Sequence, residues 1–160
     1  MVDDKVLYFD IESFSGKTPN DFLSHTARYV GFFCSDTEKY YCYHVTQTDK
    51  IVRMFKKYKY IAGHNIIDYD IPVLKKIPEF KYIFKNKVYF DTMKIIDKRA
   101  KPMLYYDFSM SQRSLDYQTK FFNLVDESTQ KGTFDYSLMK RVHLLPNDLK
   151  DLKNYLKRGN

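Results

Sequence analysis

The run Val6-Leu7-Tyr8-Phe9, closed by Asp10-Ile11-Glu12, constrains the fold more than any other stretch of this chain. Four consecutive apolar residues bounded by polar ones are short for a core helix and suit a strand buried in a sheet. Alternate side chains of a strand point to one face, so Asp10 and Glu12 project together. Like charges held side by side are unfavourable unless something positive lies between them. A segment that needs burial thus delivers two carboxylates to its own end.

The flanking segments supply the rest of the fold. Residues 4–10 read as the buried strand, and FSGKTPND (14–21) as a loop by its Gly, Pro, Asn and Asp content. ARYVGFFCS and KYYCYHV flank the polar SDTEK and predict a β-hairpin. Residues 50–58 predict a short helix with Ile51, Val52 and Phe55 on one face, and KYIAG predicts a brief strand that Gly63 lets the chain leave. A helix is expected from near Asp70, with Pro72 in its first turn. KVYF (87–90) reads as another strand and DTMKIIDKR as a helix starting at Asp91. Further helices are expected over 114–124, capped by Ser114, and behind Pro146, where Leu149, Leu152 and Leu156 recur at helical spacing. Antiparallel strands first, then strands alternating with helices, predict an α/β domain with a mixed sheet. A length of 160 residues, 44% of them hydrophobic, fits one domain over 1–160 with a real core.

A net charge of +7, from 27 basic and 20 acidic residues, points to a polyanionic partner, and nucleic acid is the commonest for a basic domain. FKKYKY (55–60), LKKIPEFKYIFKNK (74–87) and LKNYLKR (152–158) interleave lysine with aromatic rings. That mixture suits single strands, where lysines meet phosphates and rings stack on bases, or else a solvated surface whose rings reach into the core. No apolar run is long enough to span a bilayer, and no signal peptide opens the chain, so no membrane partner is expected. Cys34 and Cys42 lack CxxC spacing and read as reduced thiols of an intracellular, cytoplasmic protein. His25, His44 and His64 read as ordinary hairpin or turn residues.

Carboxylate oxygens suit Mg²⁺ or Mn²⁺, so Asp10 and Glu12 raise a metal site, although D-x-E alone is more often a strand end with two solvated acids. In AGHNIIDYDIPVL (62–74), Asp70 stands at an expected helix start, where an acid fits the helix dipole. From there it can also reach the carboxyl end of the first strand, the side on which open α/β sheets bind ligands. Three acids converging there would repel one another without a cation.

YFDIES followed by GHNIIDYDIPVL resembles the first two motifs of the DEDD superfamily of 3′–5′ exonucleases, which have an RNase H-like fold. The pattern looks closest to the exonuclease domain of family B DNA polymerases and their stand-alone relatives. Asp10 and Glu12 match D-x-E, while Asn65, Tyr69 and Asp70 match N-x-x-x-(F/Y)-D. YFDTMKI (89–95) and SLDYQTKFFNL (114–124) resemble segments common in these domains, so the resemblance spans nearly the whole chain. It implies hydrolysis of phosphodiester bonds at the 3′ end of single-stranded DNA, with RNA the alternative, by two Mg²⁺ or Mn²⁺ ions. It further implies a polymerase or replication partner. The metal ligands would be Asp10 (bridging), Glu12 on the nucleophile side, and Asp70. Tyr155 would orient the attacking water, and Asn65 and Tyr69 would touch the nucleic acid.

The family's third motif, Y-x-x-x-D, is met by Tyr155 but not by Gly159, which stands where the aspartate belongs. The family's final helix would also continue beyond Asn160, so the expectation is a domain shortened at its C-terminus. A second register, H-x-A-x-x-D, has His143 and Asp148 with Leu145 in place of alanine. Gly159 leaves two expectations open: an exonuclease working with three acids, or a catalytically inactive nucleic-acid-binding module or polymerase fragment.

Overall fold

The apolar run opens β1 (Val6–Ser15), the central strand of a five-stranded sheet in the order β3-β2-β1-β4-β5. The computed structural model describes residues 5–15 and 24–95, together with Lys150 and Asn154. Residues 16–21 of the expected loop and the expected later helices lie outside the described residues, as do Tyr155, Gly159, His143 and Asp148. β2 (His25–Cys34) runs antiparallel to β1, and β3 (Lys39–His44) antiparallel to β2. β4 (Tyr60–Gly63) runs parallel to β1, and β5 (Val88–Asp91) parallel to β4. The sheet is mixed in the sense the sequence predicts.

Both long strands exceed their expected limits. β1 continues past Asp10 through Ser15, because Phe14 and Ser15 pair with Thr26 and His25 of β2 rather than forming a loop. The register slips between Glu12 and Ser13, so Tyr29 faces Glu12 but Ala27 faces Ser13. Such a bulge bends the strand and increases its local twist, just beyond the two acids.

Alternation along β1 sorts its side chains cleanly. Leu7, Phe9 and Ile11 are buried and join Val30, Phe32 and Ile61 in the core. α1 (Thr48–Lys57) lays Ile51 and Phe55 into the same core, while Val52 is only partly buried. The Phe55 ring meets Phe9 at 5.1 Å, Phe32 at 5.3 Å and Phe84 at 4.8 Å, each edge-on, the arrangement aromatic quadrupoles favour. Phe80 and Phe84 arrive through a 3₁₀ turn at Pro78–Phe80, an element absent from the sequence reading. Tyr8, Asp10 and Glu12 occupy the opposite alternation, with Tyr8 packed on Phe33 and Phe33 on Tyr40.

Cys34 and Cys42 are free thiols. Among the described residues, no helix is long and apolar enough to cross a membrane.

Candidate active site at the carboxyl end of the sheet

β4 is short, and the way it ends creates the site. Its pairing with β1 stops at Tyr8–Ala62, and the chain turns away at Gly63. A Cβ at Gly63 would lie 2.3 Å from Ile66 Cγ2 and 2.8 Å from the Phe9 carbonyl oxygen, so only glycine lets the departing chain pass this close to β1. Beyond that point the β4-facing edge of β1 has no strand beside it, and the Ile11 amide needs another acceptor. It donates to Asp70 Oδ1 at 3.0 Å and to Asp10 Oδ1 at 3.0 Å.

Asp70 reaches this position through two turns of unequal kind. Asn65 takes a left-handed conformation, with φ of 61°, and opens a π-helical turn over Ile66–Asp70. α2 (Ile71–Leu74) follows, with Asp70 as its N-cap and Pro72 in its first turn, as expected from the sequence. The π turn was not expected, and such turns recur where a helix is distorted to place a functional group. Asp91, at the end of β5, braces it: its carboxylate accepts from the amides of Asn65 (2.8 Å), Ile67 (3.0 Å) and Met93 (3.0 Å). Asp91 does begin a helix, α3 (Thr92–Ile95), but its larger role is holding the turn that carries Asp70.

The result is an acid pair of a buried Asp70 and a half-buried Asp10. Asp70 is 2% exposed and hydrogen-bonds to Asp10. Burial pushes the Asp70 carboxyl well above the usual carboxylate range, and the neighbouring Asp10 raises it further, while the Ile11 amide works against both. A proton or a cation between the two carboxyls would relieve that repulsion. Glu12 is 3% exposed on the same alternation of β1.

Tyr69, next to Asp70, faces all three acids. Its hydroxyl is raised chiefly by burial; a hydrogen bond with Ser13 opposes this, and the charges of Asp70, Glu12 and Asp10 add to it. The hydroxyl also meets His25 Nδ1 at 2.6 Å, and Lys76 donates to the His25 carbonyl at 2.8 Å. Ser13 and His25 thus tie β1 and β2 to the turn bearing Asp70. Sequence reading missed both, since they lie 56 and 44 residues from Tyr69 along the chain. His25 is a buried member of this network rather than an ordinary hairpin residue.

The structure brings Asp10, Asp70 and Tyr69 together, with Glu12 buried beside them and Asn65 at the start of the turn. Among the described residues, no three His, Cys, Asp or Glu side chains are gathered into a group that could hold a metal ion as they stand. The contact is a pair, Asp10 with Asp70.

No protein-family model matches the sequence, and no curated protein matches it. Among solved structures, the chain is similar to the family B DNA polymerase from the hyperthermophilic archaeon Pyrobaculum calidifontis, with a TM-score of 0.70 and 16% identity. The match covers 97% of this chain and 23% of the polymerase, so the chain spans well under two thirds of that protein's length. At that identity the likeness speaks to the fold: this is an α/β domain with a mixed five-stranded sheet of the RNase H-like kind.

Proposed function

We propose that this chain is a 3′–5′ exonuclease domain that hydrolyses phosphodiester bonds at the 3′ end of single-stranded DNA with two divalent ions, Mg²⁺ or Mn²⁺. The observation that carries the reading is the contact between half-buried Asp10 and buried Asp70, where β1 runs past the end of β4. Two carboxylates stay in contact only around a proton or a cation. Mg²⁺ commonly takes one or two protein carboxylates and completes its shell with waters and substrate phosphates, so this donor set fits it without a third ligand in place.

Asp10 and Asp70 would hold the metal, with Asp10 shared between the ions and Glu12 on the nucleophile side. Bound there, the ions would supply charge stabilisation and acidify a water. The chain's own groups would do the positioning. Tyr155, whose unperturbed hydroxyl near pKa 10 makes a poor base, would orient the attacking water. Asn65 and Tyr69, on the turn beside the pair, would contact the terminal nucleotide. A polymerase acting on the same strand is the partner such an activity would serve.

Gly159, at the position of the third-motif aspartate, favours a second reading: a nucleic-acid-binding module that has lost catalysis. Both are tested by incubating labelled single strands of DNA and of RNA with the protein in Mg²⁺ or Mn²⁺. The exonuclease reading predicts stepwise shortening from the 3′ end, abolished by chelation and reduced at least about 100-fold by Asp10→Ala or Asp70→Ala, since even outer partners of metal ligands matter by 10–100-fold. Wild-type rates in Asp10→Ala would overturn it. Strand binding without shortening, with cleavage gained in Gly159→Asp, would establish the second reading.

A further inference from the structure

The amino-terminal ends of β4 and β5 carry the opposite chemistry from the acid pair. Residues 50–67 and 80–90 contain no acidic residue, yet hold Arg53, Lys50, Lys56, Lys57, Lys59, Lys81, Lys85 and Lys87. The fold brings the two stretches together. Phe84 packs on Phe55 at 4.8 Å, the Val88 amide donates to the Lys59 carbonyl at 3.0 Å, and Tyr60 pairs with Val88. Lys87 is committed to structure: its ammonium donates to the carbonyls of Phe55 and Tyr58 at 2.5 Å each, closing the end of α1. Lys57 pairs with Asp36 at 3.2 Å.

Lys56, Lys59, Lys81 and Lys85 are exposed around that junction. Rings stand among them. Tyr82 is 72% exposed, with the Lys81 ammonium 5.6 Å from its ring centre. Tyr60 has Lys59 at 5.8 Å and the exposed Phe90 at 6.1 Å. An acidic protein surface would need only the charges. Exposed rings set beside cations are what unpaired bases stack on while their phosphates are neutralised.

The location decides the role. Val6 pairs with Tyr60 at this end of the sheet, and Asp10 lies four residues further along β1, about 13 Å away at the usual strand rise. Lys59 and Tyr60 therefore stand apart from the nucleotide that the acid pair would hold, whereas Phe90, paired with Ala62, lies nearer to it. We propose that this end of the sheet is a second contact for single-stranded nucleic acid, gripping the strand away from the acid pair. The inference deepens the exonuclease reading, and rests on it for the identity of the strand as substrate.

The test is fluorescence anisotropy of a labelled oligothymidylate of about twelve nucleotides, in chelator so that nothing is cleaved. If four lysines each meet one phosphate, affinity falls roughly 50-fold between about 50 and about 200 mM salt. The variant Lys56→Glu/Lys59→Glu/Lys81→Glu/Lys85→Glu should lose at least tenfold in affinity at low salt and most of that salt dependence. Tyr82→Ala, a change at an exposed ring, should weaken binding at least about fivefold with the salt dependence kept. Unchanged affinity in both variants would overturn the proposal, as would tighter binding of duplex than of single strand, or equal competition by polyglutamate. The two readings fail differently. An error in the exonuclease reading appears as lysine-dependent binding without cleavage in Mg²⁺ or Mn²⁺; an error here appears as cleavage with binding indifferent to the lysines.

Discussion

Where β1 runs past the end of β4, a buried carboxylate touches a half-buried one, whereas at the amino end of β4 and β5 the cationic side chains extend into solvent around aromatic plugs. The first arrangement costs free energy unless a proton or cation joins it, because charge is removed from water. The second costs little, because exposed lysines keep their hydration and contribute little to stability even when paired. Hence one sheet presents an end whose chemistry is coupled to its own folding and an end whose charges carry little of its stability. Changes at the acid end should alter stability and its pH dependence; changes at the basic end should alter only binding.

The sharpest break of this contrast is at Asp91. Asp91→Ala leaves the amides of Asn65, Ile67 and Met93 without their acceptor, and roughly 2–4 kcal/mol of stability should go with it, as buried donors left unmatched are costly. Urea denaturation measures this, and Asp91→Asn, which keeps a carbonyl acceptor, should recover part of the loss. Gly63→Ala comes next. The new methyl must displace Ile66 or the Phe9 carbonyl, for about 1–3 kcal/mol, read by the same denaturation curves.

Asp70 gives a test of sign as well as size. Its folded pKa is raised above the unfolded value, so its contribution to stability is fully present below the unfolded pKa and is lost as pH rises through the folded pKa. The metal-free protein should therefore lose stability on going from acid toward neutral pH. Asp70→Asn should flatten that slope and melt higher than the wild type at neutral pH, and thermal melts across pH in chelator would show it. The smallest effect is expected at the basic end, where Tyr82→Ala should shift stability by no more than about 0.5 kcal/mol. A larger loss there would mean that the exposed rings are structural, and the contrast between the two ends would fail.

Much of the fold was legible because it rests on local pattern. The apolar run of β1, the hairpin of β2 and β3, Ile51 and Phe55 on α1, and Pro72 in the first turn of α2 all appear where residue spacing places them. What escaped depends on contacts distant in sequence. DIESFS is too polar to read as strand, and becomes one because β2 pairs along its whole length. The π turn over Ile66–Asp70 is held by Asp91, which accepts from the amide of Ile67 within it and of Asn65 just before it, 24 and 26 residues away. Motif spacing singles out Asp10, Glu12 and Asp70, of which the structure brings Asp10 and Asp70 into contact, but the Ser13–Tyr69–His25 network left no signal, since none of those residue types stands out in its own segment. The lysine-aromatic runs were legible as composition; that two of them meet at the end of the sheet opposite the acids was not.

The central proposal is that the Asp10–Asp70 contact binds a divalent cation, and Mn²⁺ binding tests it most directly. Free Mn²⁺ gives an electron paramagnetic resonance signal that vanishes on binding, so titrating the ion with protein at neutral pH counts the sites without any need for cleavage. The account predicts saturable loss of the free-ion signal by the wild type, and none above background by a folded Asp10→Ala/Asp70→Asn variant. Equal uptake by both proteins, or no uptake by the wild type, would contradict it.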